Sequence, residues 1–375
     1  MKKKLLIDAL STSSGGAIIH LKNILDYFDK QEYFDQVDVF IPDETKLQMP
    51  KNKRINYFTP YLINKNLIFR IIWQTIFLNI LVRFKKYDCI FITGSSHFLF
   101  SKKVVSISQN LLPFSPEEIK KYFFSLFYLK LILLKVTQIL SFKMSDGLIF
   151  LHKFSKNKIM KVVKNTKAKI KIIPHGVDLD RLKIKKKFTN FRIIYISNID
   201  HYKNQDFVIK AGEYFFNKNP KYKNKILFEF YGSHYPPALN NMKNILNSIK
   251  NKKNFKYFGL KNKNFIFKEK FNSNIIILFS SSCENFSVTL IEAMAMGVPI
   301  LCINRQPMKS VLGNGGIIYK HNSYKSFENS LLNLINSKSL RKKISNRSFK
   351  RSKLFKSNVV AKKTFDFLNK IASLR

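Results

Sequence analysis

Carboxylates are scarce in this chain: 375 residues carry 23 Asp and Glu against 67 Lys and Arg, a formal net charge of +44. A deficit of that sign directs attention to acidic partners, namely nucleic acid, phosphorylated substrates or anionic lipid. Lys, Asn, Ile and Phe are abundant together, which an AT-rich coding sequence also yields, so the sign of the charge informs more than its size. Cysteine is sparse as well. Cys89, Cys283 and Cys302 are odd in number, far apart and set in apolar runs, so neither a disulfide framework nor a closely spaced metal site is indicated. A reducing cytoplasm fits that usage.

A secretory leader is not expected either. The stretch "MKKKLLIDALSTSSGG" opens with a Lys triplet, but its apolar run is short and broken by Asp8. Apolar runs of spanning length are interrupted: residues 67–84 carry Arg70, Gln74 and Asn79, and residues 123–142 carry Lys130, Lys135 and Gln138. Buried or half-buried helices are expected there, with a basic amphipathic face lying on anionic lipid as the second option. The chain contains neither GxGxxG nor GxxxxGK[ST], and no solenoid repeat or long low-complexity tract is evident.

What is present is alternation. Short β-branched runs, "KKLLIDAL", "QVDVFIP", "YDCIFITG" and "KKVVSIS", are interleaved with helical patterns such as "GGAIIHLKNILDYFDK". A second series follows: "FRIIYISN", "KILFEFYG", "KNFKYFGL", "NIIILFSSS", "VPILCIN" and "GGIIY". Such order predicts parallel sheets covered by helices on both faces, in two doubly wound halves, as the length also requires. The boundary is placed in residues 173–190, "IPHGVDLDRLKIKKKFTN", giving an N-terminal domain over 1–180 and a C-terminal domain over 181–355. Residues 356–375 have helical spacing and are expected to form a terminal helix packing back on the N-terminal domain.

Two features carry chemistry. Gly15 and Gly16 lie where the first strand becomes a helix, so backbone N–H groups there can approach an anion, aided by the helix dipole, although a ligand-free tight turn explains the pair equally well. The stretch "SSCENFSVTLIEAMAMGVPI", residues 281–300, sets Glu284 at the C-terminal end of an apolar strand, the edge at which open α/β sheets bind ligands. Ser287 caps the helix that follows, Gly297 and Pro299 end it, and Glu292 lies within it. Carboxylates accept bidentate hydrogen bonds from vicinal hydroxyls of sugars; a Glu284 that caps its own loop and a solvated Glu292 are the plainer alternative.

The register Glu284, Phe286, Glu292, Ala293, Met294, Ala295, Gly297 and Pro299 resembles the E-x7-E signature of glycosyltransferase family 4. "IIPHGVD" at 172–178, "SNIDHYKNQDFVIKA" and "STSSGG" are similar to further stretches of that family, in the family's order, so the resemblance spans most of the chain and is strongest in its C-terminal half. The resemblance implies a GT-B fold, two Rossmann-like doubly wound domains facing across a cleft. It implies a retaining transferase that moves a hexose-type sugar from a nucleotide-sugar to a glycan or lipid-linked acceptor, as in surface polysaccharide or lipopolysaccharide biosynthesis. The donor is a substrate; no cofactor and no metal are expected.

By the same resemblance Glu284 contacts donor-sugar hydroxyls, Glu292 holds the nucleotide's ribose and Lys203 lies against the diphosphate, with the amides of Gly15 and Gly16 approaching it from the other domain. The chain departs from the pattern at Asn198, where members often carry Arg, and at Asn285 and Ser287, which flank Phe286 where E-G-F-G has glycines. Where many members carry a His, this chain reads "SQNLLPF"; Gln109 or Asn110 can hydrogen-bond a sugar hydroxyl there but neither is a base at neutral pH, and for His97 a satisfied structural role is the commoner reading, with partial substitution for that His the other. Asn110 completes the catalytic set with Glu284 and Lys203. The location expected is cytoplasmic, peripheral at an anionic inner membrane surface. A basic nucleic-acid-binding protein is the competing class, disfavoured because no recognition helix or RNP-type segment is found, so no nucleic-acid partner is expected. A GT-B fold without activity is the third reading.

Overall fold

The computed structural model describes residues 3–12, 15–60, 72–178, 190–262, 266 and 274–374. Part of segment 67–84, the linker residues 179–189, Ser13 and Ser14 of the glycine loop and most of the Lys/Phe stretch 263–273 therefore lie outside the described residues. Backbone contacts divide the chain into two units, residues 1–177 with 355–375, and residues 178–354. The division falls after Val177 rather than after residue 180. Val177 bridges to Lys356 and donates its N–H to the Phe355 carbonyl at 2.8 Å, which ties it to the first unit.

The first unit holds a seven-stranded parallel sheet: β1 (Lys4–Asp8), β2 (Gln36–Phe40), β3 (Ile55–Phe58), β4 (Cys89–Ile92), β5 (Val104–Ser108), β6 (Gly147–Phe150) and β7 (Lys169–Ile172), in the order β3-β2-β1-β4-β5-β6-β7. Its longer helices are α1 (Gly15–Asp26), α2 (Leu78–Lys85, entered through a π-turn over Trp73–Phe77), α3 (Leu126–Met144) and α4 (Lys153–Val163). The central strands are buried along almost their whole length, because a parallel sheet covered on both faces offers no solvent side to alternate toward. Right-handed crossovers then place α1, which leads from β1 to β2, on one face, and α2 and α3, which lead in the opposite direction across the sheet, on the other.

The second unit repeats the plan with β8 (Phe191–Ile196), β9 (Ile226–Tyr231), β10 (Phe255–Tyr257), β11 (Ile275–Phe279), β12 (Ile300–Ile303) and β13 (Ile317–Tyr319), ordered β10-β9-β8-β11-β12-β13 and parallel throughout. Helices α5 (Gln205–Lys218), α6 (Pro236–Ser248) and α8 (Tyr324–Asn336) pack together over a core that includes Phe215, Phe216, Phe228 and Phe327, while α7 (Val288–Met296) packs on α9 (Lys338–Ser352). The last helix, α10 (Ser357–Ala372), belongs to the first unit. It lies against α1 and the strands β4 and β5, and buries Phe365 among Tyr27, Phe28 and Phe34. Among the described residues no helix is long and apolar enough to cross a membrane.

Candidate active site

In the second unit, β8 pairs with β9 on one side and with β11 on the other, so the loops leaving β8 and β11 diverge at the point where strand order reverses. That is the edge where open α/β sheets hold ligands. After β8 the chain runs through Asn198 to Asp200, whose carboxylate accepts the N–H of His201 at 2.8 Å and caps a single 3-10 turn, His201–Lys203. Asn204 ends the turn in the left-handed region (φ 56), a conformation that asparagine tolerates.

This turn is sewn to the loop after β11. The Tyr202 carbonyl accepts the Ser282 N–H at 2.8 Å and the hydroxyls of Ser281 and Ser282 at 3.2 and 3.1 Å. Asn204 Nδ2 donates to the Ser280 carbonyl at 2.9 Å, and the Tyr195 hydroxyl donates to the Lys203 carbonyl at 2.6 Å. These bonds fix both backbones, and they bring Lys203 Nζ onto Glu284 Oε1 as a direct ion pair. The two side chains are 13% and 16% exposed, and the ammonium also sits 4.8 Å from the Tyr202 ring centroid. Burial works against the charge on Lys203, but the Glu284 carboxylate, with Tyr202 and Tyr195, outweighs it and holds the ammonium well above the ordinary lysine range. Lys203 is therefore cationic throughout the neutral range.

Five residues beyond the cap comes the second carboxylate. Ser287 accepts the Leu290 N–H at 3.2 Å and starts α7, which Gly297 ends at φ 65. Every residue of α7 except Thr289 is buried, Glu292 included at 5% exposure, so Glu292 is not a solvated side chain. Asn285 and Phe286, which follow Glu284 in sequence, are buried as well, at 4% and 6%. Asn198, at the position where Arg was expected to be replaced, is exposed; its side-chain oxygen accepts from Ser233 Oγ at 2.8 Å and its carbonyl from Gln205 Nε2 at 2.9 Å.

The structure thus gathers Lys203 and Glu284, and places Asn285, Phe286, Ser287 and Glu292 on the segment that Glu284 begins. Gly15, Gly16 and Asn110 belong to the first unit. Gly15 opens α1 at φ 63 with open space where a Cβ would stand, so conformation and not crowding favours glycine there. Asn110 is exposed and its side-chain oxygen accepts the Leu112 N–H at 3.0 Å, capping the turn after β5. Gln109 reaches the Thr93 carbonyl at 3.0 Å.

His97 is corrected. Its Nδ1 accepts the Leu99 N–H at 3.2 Å, so the ring proton is on Nε2, 3.0 Å from Ser145 Oγ; at 1% exposure the ring is enclosed, and burial lowers its pKa to about 4. Such a histidine braces the β4–β5 loop and does not reach a substrate. Sequence reasoning missed the bracing set, Tyr195, Asn204 and the serines 280–282. The run "SSS" after an apolar strand and an Asn following Lys203 were the available signals. Among the described residues no three His, Cys, Asp or Glu gather as metal ligands would. A hollow of about 640 Å³ in the first unit, lined by Phe40, Phe58 and Trp73 among others, contains none of the residues singled out above.

Residues 177–351, essentially the second unit, match the family model of the glycosyl transferases group 1. The whole chain has the fold of solved glycosyltransferases: a Rickettsia africae glycosyltransferase (17% identity, 100% of each chain covered, TM-score 0.70), Anabaena HepE in complex with UDP-glucose (15%, 98% of this chain and 99% of that one, TM-score 0.72) and WaaG, involved in lipopolysaccharide biosynthesis (13%, 97% and 99%, TM-score 0.70). No curated protein sequence matches the chain.

Proposed function

We propose that the protein is a retaining glycosyltransferase that moves a hexose-type sugar from a nucleotide-sugar to a glycan or lipid-linked acceptor in surface polysaccharide synthesis, peripherally attached at the inner face of the plasma membrane. The observation that carries this reading is the Lys203–Glu284 pair at the switch point of the second sheet, on backbones fixed by reciprocal loop bonds. Departure of a nucleoside diphosphate develops negative charge, and a half-buried ammonium already oriented by its neighbours stabilises such charge without reorganising. Glu284 then exchanges its bond to Lys203 for donor-sugar hydroxyls when the diphosphate takes the lysine. Glu292 serves the ribose. Glu292 lies buried on α7, the helix that the Glu284 segment leads into, which supports assigning both carboxylates to one ligand. The likeness to HepE, whose structure was solved with UDP-glucose, supports a nucleotide-sugar donor, and the likeness to WaaG supports the pathway class.

The test is a thermal-shift screen of the purified protein against nucleotide-sugars, followed by kinetics on the donor found. Glu292→Ala should weaken nucleotide binding and Glu284→Ala should chiefly depress turnover, each by about 1.5–3 kcal/mol, one to two decades. Wild-type behaviour in both variants would refute the assignment. Retention is read from the anomeric coupling of the product by NMR, where inversion would overturn that part alone.

A further inference from the structure

On α3 the residues Leu126, Leu129, Leu133, Val136 and Leu140 recur at helical spacing and form one face, and their exposures run from 45% to 86%. Buried helices of this unit hide such side chains; α3 turns Leu131 and Phe142 to the core and presents an apolar stripe to solvent as well. Lys130 and Lys143 flank the stripe and are exposed. Just before α3, Phe124 stands fully exposed in the left-handed region (φ 61), a conformation that costs a bulky residue free energy and that nothing in a plain turn requires.

The stripe is not isolated. The β4–β5 loop is bonded to α3, where Ser141 Oγ accepts the His97 N–H at 2.7 Å, and to α2 on the same side of the sheet, where Asn79 Nδ2 donates to the Phe98 carbonyl at 2.8 Å. That loop carries Phe100 at 84% exposure, and α2 presents Phe84 at 81% next to exposed Arg83, Lys85 and Lys86. Residues 72–87, 95–103 and 119–145, which build this surface, contain no Asp or Glu at all.

We infer that this face of the first unit is a docking surface for a lipid bilayer carrying anionic headgroups, with the apolar stripe of α3, Phe124 and Phe100 entering the interface and the lysines and arginine pairing with phosphate. Apolar side chains rimmed by basic ones are what an interfacial helix needs. A second copy of the chain suits the face poorly, because a two-fold contact would set lysines against lysines, and the nearby carboxylates Asp38 and Glu118 already pair with Lys85 and Lys121. The inference specifies the membrane attachment proposed above and rests on that part of it; the donor site plays no role.

The experiment is co-sedimentation of the full chain, without sugar donor, with vesicles of equal parts phosphatidylcholine and phosphatidylglycerol, compared with phosphatidylcholine alone. The wild type should bind the anionic vesicles, more weakly at high salt. Leu129→Glu with Leu133→Glu should lower the apparent affinity at least about tenfold while leaving thermal unfolding unchanged, since both positions are exposed. Lys130→Glu with Lys143→Glu should weaken binding and flatten its salt dependence. No binding by the wild type, or unchanged binding by the leucine variant, would overturn the inference. So would self-association in buffer that the leucine variant abolishes, or loss of a duplex DNA interaction in that variant. Donor binding, measured separately by thermal shift, keeps a failure here distinct from a failure of the enzyme reading.

Discussion

Lys203 and Glu284 show how much a single contact depends on the atoms behind it. Neither would hold its position alone; the Tyr202 carbonyl, the serine hydroxyls and Asn204 set the geometry. Asn204→Ala should therefore lower turnover by about a decade through lost positioning, with nucleotide affinity changed less, a split that kcat against KM reads out. A second residue-scale prediction concerns buried histidines of the first unit. Burial lowers His20 and His97 to about 4 and, with the charge of His20 adding to it, holds His175 well below the ordinary range. The unfolded chain takes up protons at these sites below about pH 6.5 while the folded one refuses them. Stability should then fall as pH drops from about 6.5 toward 4, by up to about 1.4 kcal/mol per pH unit for each histidine. Urea denaturation at a series of pH values checks the slope, and His97→Gln should reduce it by one proton.

At the scale of elements, α7 is specified locally from end to end. Ser287 caps it, Gly297 ends it, and the periodic apolar residues between are all buried. Ser287→Ala should cost about 1 kcal/mol in denaturant unfolding and loosen the segment that carries both glutamates. The helix, its cap and its stop were legible in the sequence because each rests on residues within one turn of the next. Less legible were β3, β6 and β7. β7, "KIKI", is an edge strand whose side chains are mostly exposed, so it lacks the apolar run that marks a buried strand, and β6 follows a 19-residue helix with little punctuation between them. The terminal helix α10 was visible by its spacing. Its packing partner was not, since Phe365 meets Tyr27, Phe28 and Phe34 across more than three hundred residues of chain. Phe365→Ala should destabilise the first unit by about 3–5 kcal/mol, as large-to-small changes in an aromatic core do.

For the whole molecule, the chain crosses between its two units twice, and the first unit is completed only when residues 355–375 return to it. Truncation after Lys353 should accordingly abolish cooperative unfolding of the first unit and leave hydrogen-exchange protection in the second. Equal loss in both would show that they fold as one. The sequence by itself determined the α/β class, the two doubly wound halves, the α7 segment and the overwhelming excess of positive charge, because periodicity, caps and composition are properties of neighbouring residues. Only the tertiary structure decided that Lys203 pairs with Glu284, that His97 is an internal brace, and that α3 shows an apolar stripe to solvent. Each of these depends on which loops and faces the sheet order brings together, and side chains 81 positions apart, as Lys203 and Glu284 are, acquire a common environment only when β8 and β11 pair.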